Sequence, residues 1–232
     1  GGTAGGDATT LGDVITIQQD GKNTILGGLG ADQISVKNGV ATILGDNGVV
    51  ELDAIGQEFA QVKTLSRASA GGSIVDLGGN DQISGLSGNM IVLGGDGVDT
   101  ILLGDAAATV TSNHVVLGDN GIVTYVAMGL TGAGRAQKFE TTDTLLNSST
   151  GGTAGGNSTT LGDVITVTGD GDNTILGGLG ADTITLKNGT DTVLGDNGVV
   201  ELDAAGDKFV MVKTLSRALA GGAIVDLGGN DT

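Results

Sequence analysis

Large aliphatic residues recur along this chain at nine-residue intervals. Residues 27–35 (GGLGADQIS), 94–102 (GGDGVDTIL) and 177–185 (GGLGADTIT) each match the pattern G-G-x-G-x-D-x-U-x, in which U is a large aliphatic residue. Weaker nonapeptides that keep Gly at place four and an aliphatic residue at place eight surround them: 18–26, 36–44, 45–53, 76–84 and 85–93. Gly permits the tight turns, so each nonapeptide predicts a turn followed by one short strand.

Places eight and nine of the nonapeptide have different predicted environments. Place eight should point inward, and its residues should stack as the core: Ile25, Ile34, Ile43, Leu52, Ile83, Val92 and Ile101. Place nine should face outward, yet it often holds Leu: Leu26, Leu44, Leu93, Leu102 and Leu176. A row of exposed Leu is unusual, so we expect another strand or a non-repeating segment, most simply residues 54–73, to cover it.

A longer repeat contains the nonapeptides. Residues 1–82 recur as 151–232 with 62 of 82 positions identical. We therefore divide the chain into one complete super-repeat, residues 1–150, and the first half of the next, 151–232, and we expect an internal piece of a longer tandem array. Predicted coils and intervening excursions follow in order: coils at about 8–53, 76–126 and 160–203, excursions at about 54–73, 127–159 and 204–223.

These features predict an all-β protein, a parallel β-solenoid (a β-roll or β-helix) of stacked Gly- and Asp-rich nonapeptides with non-phased excursions. Gly makes up 46 of 232 residues, Pro is absent and aromatic residues are 2%, which suits small β-branched layers better than an aromatic core. With two nonapeptides per coil, about five coils per super-repeat would rise roughly 24 Å if only the phased nonapeptides coil, and about eight coils would rise roughly 40 Å if the excursions coil as well. The lower half of this range is expected, because the excursions lack Gly every nine residues.

Asp residues recur at the spacing of one coil. Asp81 and Asp99 are 18 residues apart, which places their carboxylates in adjacent turns on one edge. Asp13 and Asp32, like Asp163 and Asp182, are 19 apart, which one inserted residue would explain. An ion between stacked turns would take carboxylate oxygens from such a pair and carbonyl oxygens from the Gly turns. Several hard oxygen ligands at a flexible site favour Ca²⁺ over Mg²⁺.

At this point the sequence resembles the repeats-in-toxin (RTX) family, whose nonapeptides form a calcium-filled parallel β-roll. The resemblance covers roughly 10–53, 76–126 and 160–203, with LGDNG at 44–48, 117–121 and 194–198 replacing the GGxGxD pattern. Such mixed arrays are similar to giant secreted bacterial proteins. The predicted metal site comprises turn residues of both kinds: Asp13, Gly27, Gly28, Gly30, Asp32, Asp46, Asp81, Gly94, Gly95, Gly97, Asp99, Asp119, Asp163, Gly177, Gly178, Gly180, Asp182 and Asp196.

Charge and composition argue against several classes of partner, metal site and activity. A net charge of −17 argues against nucleic acid and anionic membranes as partners, and no apolar run is long enough to span a bilayer. Without Cys and with His114 as the only histidine, thiolate and paired-histidine metal chemistry are excluded. No catalytic motif is complete, so we expect no enzyme. The alternative to bound calcium is a metal-free solenoid whose Asp side chains only cap turns.

The expected function is a calcium-binding structural segment of a giant secreted protein. It would form an extracellular stalk, adhesin shaft or biofilm matrix filament that folds on meeting calcium, with calcium and further copies of itself as partners. The alternative is an RTX secretion or folding module attached to a toxin or exported enzyme. The excursions hold most of the cations and are expected either to loop out or to dock on acidic turns; these cations are Lys63, Arg67, Arg135, Lys138, Lys208, Lys213 and Arg217.

Overall fold

The computed structural model describes residues 12–54, 56, 58–65, 67–68, 74–75, 78–105, 107, 111–126, 135–142, 162–215, 217–218, 224–225 and 231–232. All regular structure in these ranges is β-strand. None of the described segments is a helix that could cross a membrane.

Two parallel sheets take alternate strands of the repeats. Sheet A contains, in spatial order, β1 (Val14–Ile17), β3 (Gln33–Val36), β9 (Gln82–Gly85), β11 (Thr100–Leu103), β15 (Val164–Val167) and β17 (Thr183–Thr185). Sheet B contains β2 (Lys22–Gly28), β4 (Val40–Asp46), β10 (Met90–Leu93), β12 (Val115–Leu117), β16 (Thr174–Gly178) and β18 (Thr192–Asp196). Every pairing in both sheets is parallel.

A third sheet is antiparallel and was not predicted. Sheet C contains, in spatial order, β5 (Gly48–Leu52), β6 (Phe59–Thr64), β13 (Gly121–Val126), β14 (Arg135–Thr141), β19 (Gly198–Leu202) and β20 (Phe209–Thr214). Two short antiparallel pairs complete the set: β7 (Arg67–Ala68) with β8 (Ile74–Val75), and β21 (Arg217–Ala218) with β22 (Ile224–Val225). Sheet C therefore forms from three hairpins, each of which begins at the last Gly of an LGDNG motif.

Sheets A and B pack face to face around the predicted place-eight core. In sheet A the stacked residues at this position are Ile15, Ile34, Ile83, Ile101, Ile165 and Ile184. In sheet B they are Ile25, Ile43, Val92, Val116, Ile175 and Val193. All are β-branched, a shape that suits stacking on a pleated surface, and most are fully buried.

The place-nine residues decide which parallel sheet is covered by sheet C. All six sheet B strands carry Leu there: Leu26, Leu44, Leu93, Leu117, Leu176 and Leu194. Five of these are buried against sheet C, where Val62, Val123, Phe139 and Val200 meet them. In sheet A the same place is mostly a hydroxyl residue: Thr16, Ser35, Ser84, Leu102, Thr166 and Thr185. The expected cover over the Leu row is therefore present over sheet B, whereas Leu102 on sheet A is 45% exposed among the described residues.

The structure corrects the path of residues 45–53. Leu52 was predicted to point into the core, but it is 50% exposed because β5 leaves the coil and pairs antiparallel with β6. The excursion 54–73 is not a plain loop, since Phe59–Thr64 forms β6. The described parts of the other two excursions, 135–142 and 204–215, likewise contain β14 and β20. Residues 127–134 and 143–159 lie outside the described part of the chain.

The cations of these segments contact acids within sheet C and its loops. Lys63 contacts Glu51 at 3.0 Å, Lys138 contacts Glu140 at 2.6 Å and Arg135 contacts Asp207 at 3.2 Å. All three pairs are partly exposed, so each adds little to the stability of the fold. These three cations therefore pair with acids of sheet C and its loops and do not dock on the predicted metal turns.

The two copies also give the number of coils in the super-repeat. Four sheet A strands, β1, β3, β9 and β11, precede β15, which repeats β1 after 150 residues. The count is four coils, not five, because Gly48–Leu52 forms β5 of sheet C and adds no strand to sheets A and B. At a strand spacing of about 4.8 Å the super-repeat rises roughly 19 Å.

Leu93 and Leu102 offer a matched test of the layer order. Both occupy place nine of consecutive nonapeptides, but Leu93 is buried beneath sheet C whereas Leu102 is 45% exposed on sheet A. We expect Leu93→Ala to lower the free energy of unfolding by about 2–5 kcal/mol and Leu102→Ala by about 0.5 kcal/mol. Urea unfolding in calcium-containing buffer measures both, and equal losses would contradict the placement of sheet C over sheet B.

Candidate metal centre

The turns that lead from sheet B to sheet A lie along one edge of the stack and hold the GGxGxD motifs. Two glycines of the 94–97 turn have positive φ angles, 116° at Gly95 and 136° at Gly97. L-amino acids with side chains rarely adopt this conformation, so these positions require Gly. The backbone of this turn lies close to that of the two neighbouring turns in the stack, at Gly79 and at Gly118.

The place-six carboxylates of these turns form a continuous ladder. The backbone N–H of each ladder residue donates to Oδ1 of the next, over 2.6 Å at Asp13, 2.7 Å at Asp32, 2.8 Å at Asp81 and 2.7 Å at Asp99. The same contact continues from Asp163 at 2.7 Å and from Asp182 at 3.0 Å. The members are Asp13, Asp32, Asp81, Asp99, Asp163, Asp182 and Asp231. The predicted neighbours Asp81 and Asp99, Asp13 and Asp32, and Asp163 and Asp182 all lie in adjacent turns.

The second oxygen of the ladder carboxylates faces Gly backbone. Oδ2 is buried without a hydrogen-bond partner in Asp32, Asp81, Asp99 and Asp182. A Cβ placed on Gly45 would collide with Asp81 Oδ2 and with the Gly94 carbonyl oxygen, and one placed on Gly94 would collide with Asp99 Oδ2 and the Gly118 carbonyl oxygen. A buried carboxylate oxygen therefore lies beside a carbonyl oxygen in a cradle that only Gly leaves open.

These carboxylate and carbonyl oxygens form a set of ligands that fits a calcium ion. Buried carboxylate oxygens without donors need a cation or a proton, and hard oxygen ligands are those that calcium prefers. Across the described residues no point gathers three acidic or histidine side chains. An ion between two turns would therefore be held by one or two ladder carboxylates and by Gly carbonyl oxygens, as at Gly27, Gly94 and Gly177. Calcium would supply the positive charge that this edge lacks.

Burial raises the pKa of four ladder carboxyls, those of Asp32, Asp81, Asp99 and Asp182. Desolvation is the main cause and lifts the pKa of Asp81 to about 8 and that of Asp182 to about 7. The pKa of Asp99 is raised well above 3.8, first by burial and then by the charges of Asp163, Asp81 and Asp46. The pKa of Asp32 is raised by burial too. Without a cation, the ionised ladder is thus costly to bury.

The LGDNG carboxylates occupy a different column from the ladder. In sheet B register, Gly28 lies beside Asp46 and Gly178 beside Asp196, so these Asp residues replace the second Gly of the GGxGxD motif. Asp46 accepts hydrogen bonds from the backbone N–H groups of Gly79 at 3.2 Å and Asp96 at 2.6 Å. Both its oxygens thus cap turns.

Asp119 in the second LGDNG motif accepts a hydrogen bond from the N–H of Leu179, and Gly178 leaves room for its carboxylate. Burial is the main cause of a pKa well above 3.8 at Asp46. For Asp46 and Asp119 the geometry shows turn capping. A role as calcium ligands stays a prediction for Asp46, Asp119 and Asp196.

The opposite edge, where the chain passes from sheet A to sheet B, is built differently. Its place-six column contains Asn23, Ala41, Met90, His114, Asn173 and Asp191. Ala41 and Met90 belong to the apolar core. His114 is buried at this edge, and burial lowers its pKa to about 4. A regular carboxylate ladder is therefore confined to one edge of the described stack.

Some ladder residues escaped the sequence reasoning. Asp231 was not predicted, although it repeats Asp81 after 150 residues. Gly45, Gly118 and Gly195 were also missed, because LGDNG was treated as a departure from the motif. Their position in the repeat could have identified them, since each is the first residue of its nonapeptide, as Gly27 is.

The fold and the aspartate ladder together define a class of protein. It is an all-β protein with stacked Gly turns, each of which places one carboxylate where it could bind calcium. The model of the RTX calcium-binding nonapeptide repeat matches four copies, over residues 19–48, 73–107 and 167–199. The chain thus carries RTX calcium-binding nonapeptide repeats. Searches of curated proteins and of solved structures gave no match to the chain.

The raised pKa values predict an unusual pH dependence without calcium. A carboxyl whose folded pKa lies above its unfolded value of 3.8 stabilises the fold in its protonated form, and that stability is lost as pH rises through the folded pKa. For Asp182 and Asp81 this occurs near 7 and 8. The calcium-free chain should therefore lose β structure as pH rises from about 6.5 to about 8, with little further loss above the folded pKa values.

Circular dichroism in a chelator measures this loss. The control is the same titration in calcium, which should be nearly flat because the cation replaces the proton on the ladder. A calcium-free chain that gains β structure as pH rises across this interval would contradict the electrostatic account. The interval begins at about 6.5 because protonation of buried His114 lowers stability at more acidic pH.

Proposed function

We propose that this chain is a calcium-binding structural segment, a parallel β-solenoid that serves as part of a stalk, adhesin shaft or matrix filament outside the cell. The observation that carries the proposal is the aspartate ladder, which continues through seven successive turns of one edge. A site that recurs in every coil serves the whole length of the stack.

The sheet topology supports a filament-like role. Successive strands of the nonapeptides alternate between sheets A and B, and both sheets, together with sheet C, extend in the same direction of stacking. Each added repeat lengthens the three sheets without widening them, which is the property of a solenoid. The 150-residue duplication adds length in the same way.

Folding on meeting calcium follows from the electrostatics of the edge. The ladder places buried carboxylates one strand spacing apart, and the chain has a net charge of −17. Sites that depend on carbonyl oxygens and one or two carboxylates are typical of weak extracellular calcium modules, with dissociation constants of about 10⁻⁴–10⁻³ M. We propose that the chain stays unfolded at low calcium and folds in the extracellular medium.

Sheet C favours the structural role over the alternative, a secretion or folding module for a toxin or exported enzyme. An additional hairpin layer that seals sheet B strengthens a shaft, whereas a folding module requires only the calcium edge. The proposal assigns the chain no catalytic role.

Calcium removal and one ladder substitution test the proposal together. We expect a chelator to abolish the β spectrum in circular dichroism at about pH 8.5, above the folded pKa values of Asp81 and Asp182, because uncompensated ionised carboxylates would then be buried. Asp99→Asn should lower the calcium stoichiometry measured by calorimetry, since it removes a buried ladder charge. Asp105→Asn is the matched control, because Asp105 is exposed six residues further along and outside the ladder.

An unchanged β spectrum in the chelator would refute calcium-coupled folding. Equal calcium stoichiometry for Asp99→Asn and Asp105→Asn would instead show that the ladder does not hold the ions.

A further inference from the structure

The outer face of sheet A carries no charged side chain. In each of its six strands the residues at places seven and nine point away from the core, and all of them are exposed or partly exposed. None of these twelve residues is Asp, Glu, Lys or Arg. They are Val14, Thr16, Gln33, Ser35, Gln82, Ser84, Thr100, Leu102, Val164, Thr166, Thr183 and Thr185.

The outer face of sheet C provides a comparison within the same molecule. Its six strands also direct twelve residues away from the layer beneath, and six of these are charged. The charged residues are Glu51, Lys63, Lys138, Glu140, Glu201 and Lys213. An exposed protein surface normally mixes charges of both signs, as sheet C does. The charge-free face of sheet A is therefore not explained by exposure to water alone.

The exposure of this face does not come from a missing neighbouring strand. β11 lies between β9 and β15, and β15 lies between β11 and β17. Even so, Leu102 of β11 is 45% exposed and Val164 of β15 is 42% exposed. Further coils at either end would lengthen this face along the stack and leave its outer side unchanged.

A groove of about 380 Å³ lies on this face and spans β1, β3, β9 and β11. The side-chain amides of Gln33 and Gln82 line it side by side, with Nε2 of Gln33 donating to Oε1 of Gln82 at 3.3 Å. Ser35, Ser84 and Leu102 also contribute to its walls. Its volume lies within the range of small-ligand sites, about 300–1,000 Å³. The stacking repeats similar groups at one strand spacing, about 4.8 Å.

The chemistry of the face matches a neutral sugar polymer. Nine of the twelve residues end in a hydroxyl or an amide group, which donates and accepts hydrogen bonds without charge, as sugar hydroxyls do. The other three are aliphatic and can pack on the C–H faces of a sugar ring. A net charge of −17 disfavours an acidic polymer, and a basic polymer would find no carboxylate among these residues.

The same twelve residues do not resemble a contact between two copies of the chain. Contacts between identical subunits are more apolar at their centre and are enriched in aromatic residues, Met and Arg. None of these residue types occurs at the twelve positions.

We propose that the outer face of sheet A binds an extended, neutral polysaccharide, of the class of β-1,4-linked glucans and mannans, which lies along the stack. The proposal rests on the proposed function, because it names what an extracellular filament of this kind contacts. Each coil adds two outward residues of sheet A, so the contacts recur along the polymer. Binding at one coil is weak, and the affinity rises with the number of coils that one polymer chain contacts.

Affinity electrophoresis of the calcium-loaded chain tests the proposal. Soluble glucomannan and hydroxyethylcellulose, two neutral β-1,4-linked polymers, should retard the chain in a native gel. Carboxymethylcellulose has the cellulose backbone with added carboxylates and should retard it less. A short cello-oligosaccharide should compete only at much higher concentration than the polymers, because it contacts fewer coils.

A double substitution in the groove tests the location of the contact. Gln33→Ala with Gln82→Ala should weaken the affinity for glucomannan by about tenfold, because two side-chain hydrogen-bonding groups are lost. Gln61→Ala is the matched control, since it removes the same side chain from the outer face of sheet C and should leave the affinity unchanged. Circular dichroism in calcium should show the same β spectrum for all three chains.

The possible failures are distinguishable. A chain with a calcium-dependent β spectrum that neither neutral polymer retards would overturn the polysaccharide surface and leave the proposed function intact. Stronger retardation by carboxymethylcellulose, or equal losses from the double variant and Gln61→Ala, would also overturn it. Association of the chain with itself that the double variant abolishes would make a second copy the occupant. A chain without calcium-dependent β structure would refute the proposed function and this surface with it.

Discussion

In-register stacking at a single strand spacing is the constraint on which the rest of the structure depends. Parallel sheets A and B advance by one strand per coil, and sheet C advances by two strands per hairpin. One hairpin leaves the coil for every two coils, so the three sheets rise by the same amount. The inner strands of sheet B can therefore be buried on both faces, which is the usual condition of a parallel sheet.

The same spacing creates the electrostatic problem at one edge. One carboxylate per coil stacks directly on the next, and burial prevents water from screening their repulsion. In Asp81 and Asp99, for example, a backbone N–H satisfies Oδ1 and leaves Oδ2 beside a Gly carbonyl oxygen. The apolar core thus favours close stacking of the coils, whereas the buried carboxylates repel one another at the same spacing. A bound cation would remove this repulsion.

Sheets A and B, whose strands follow the nonapeptide repeat, were predicted from the sequence. Sheet C, whose strands do not follow it, was missed. Ile34, Ile83 and Ile101 were predicted to be buried because the turn and strand of each nonapeptide are local features. Leu52 was assigned to the core because residues 45–53 keep the phase by position alone, although β5 pairs outside the coil. A hairpin between segments that lack the repeat gives no periodic signal, so sheet C required the structure.

The candidate site was predictable for a related reason. Ladder partners such as Asp81 and Asp99 are one coil apart in sequence, so their spacing alone indicated contact. The contacts of Asp46 with Gly79 and Asp96 span an intervening segment of irregular length, and no spacing rule anticipates them. The alternation of Leu and hydroxyl residues at place nine was visible in the sequence, but its meaning depended on knowing that a third sheet covers sheet B.

The ratio of two coils to one hairpin has a consequence for how a gene of this kind can change length. Deleting one coil would shorten sheets A and B by one strand each while sheet C kept both strands of its hairpin, and every later hairpin would lie out of step with the Leu row beneath it. Deleting two coils with their hairpin restores all three sheets at once. Recombination that preserves the fold must therefore exchange such modules whole, which makes the half-repeat, rather than the nonapeptide, the unit of inheritance.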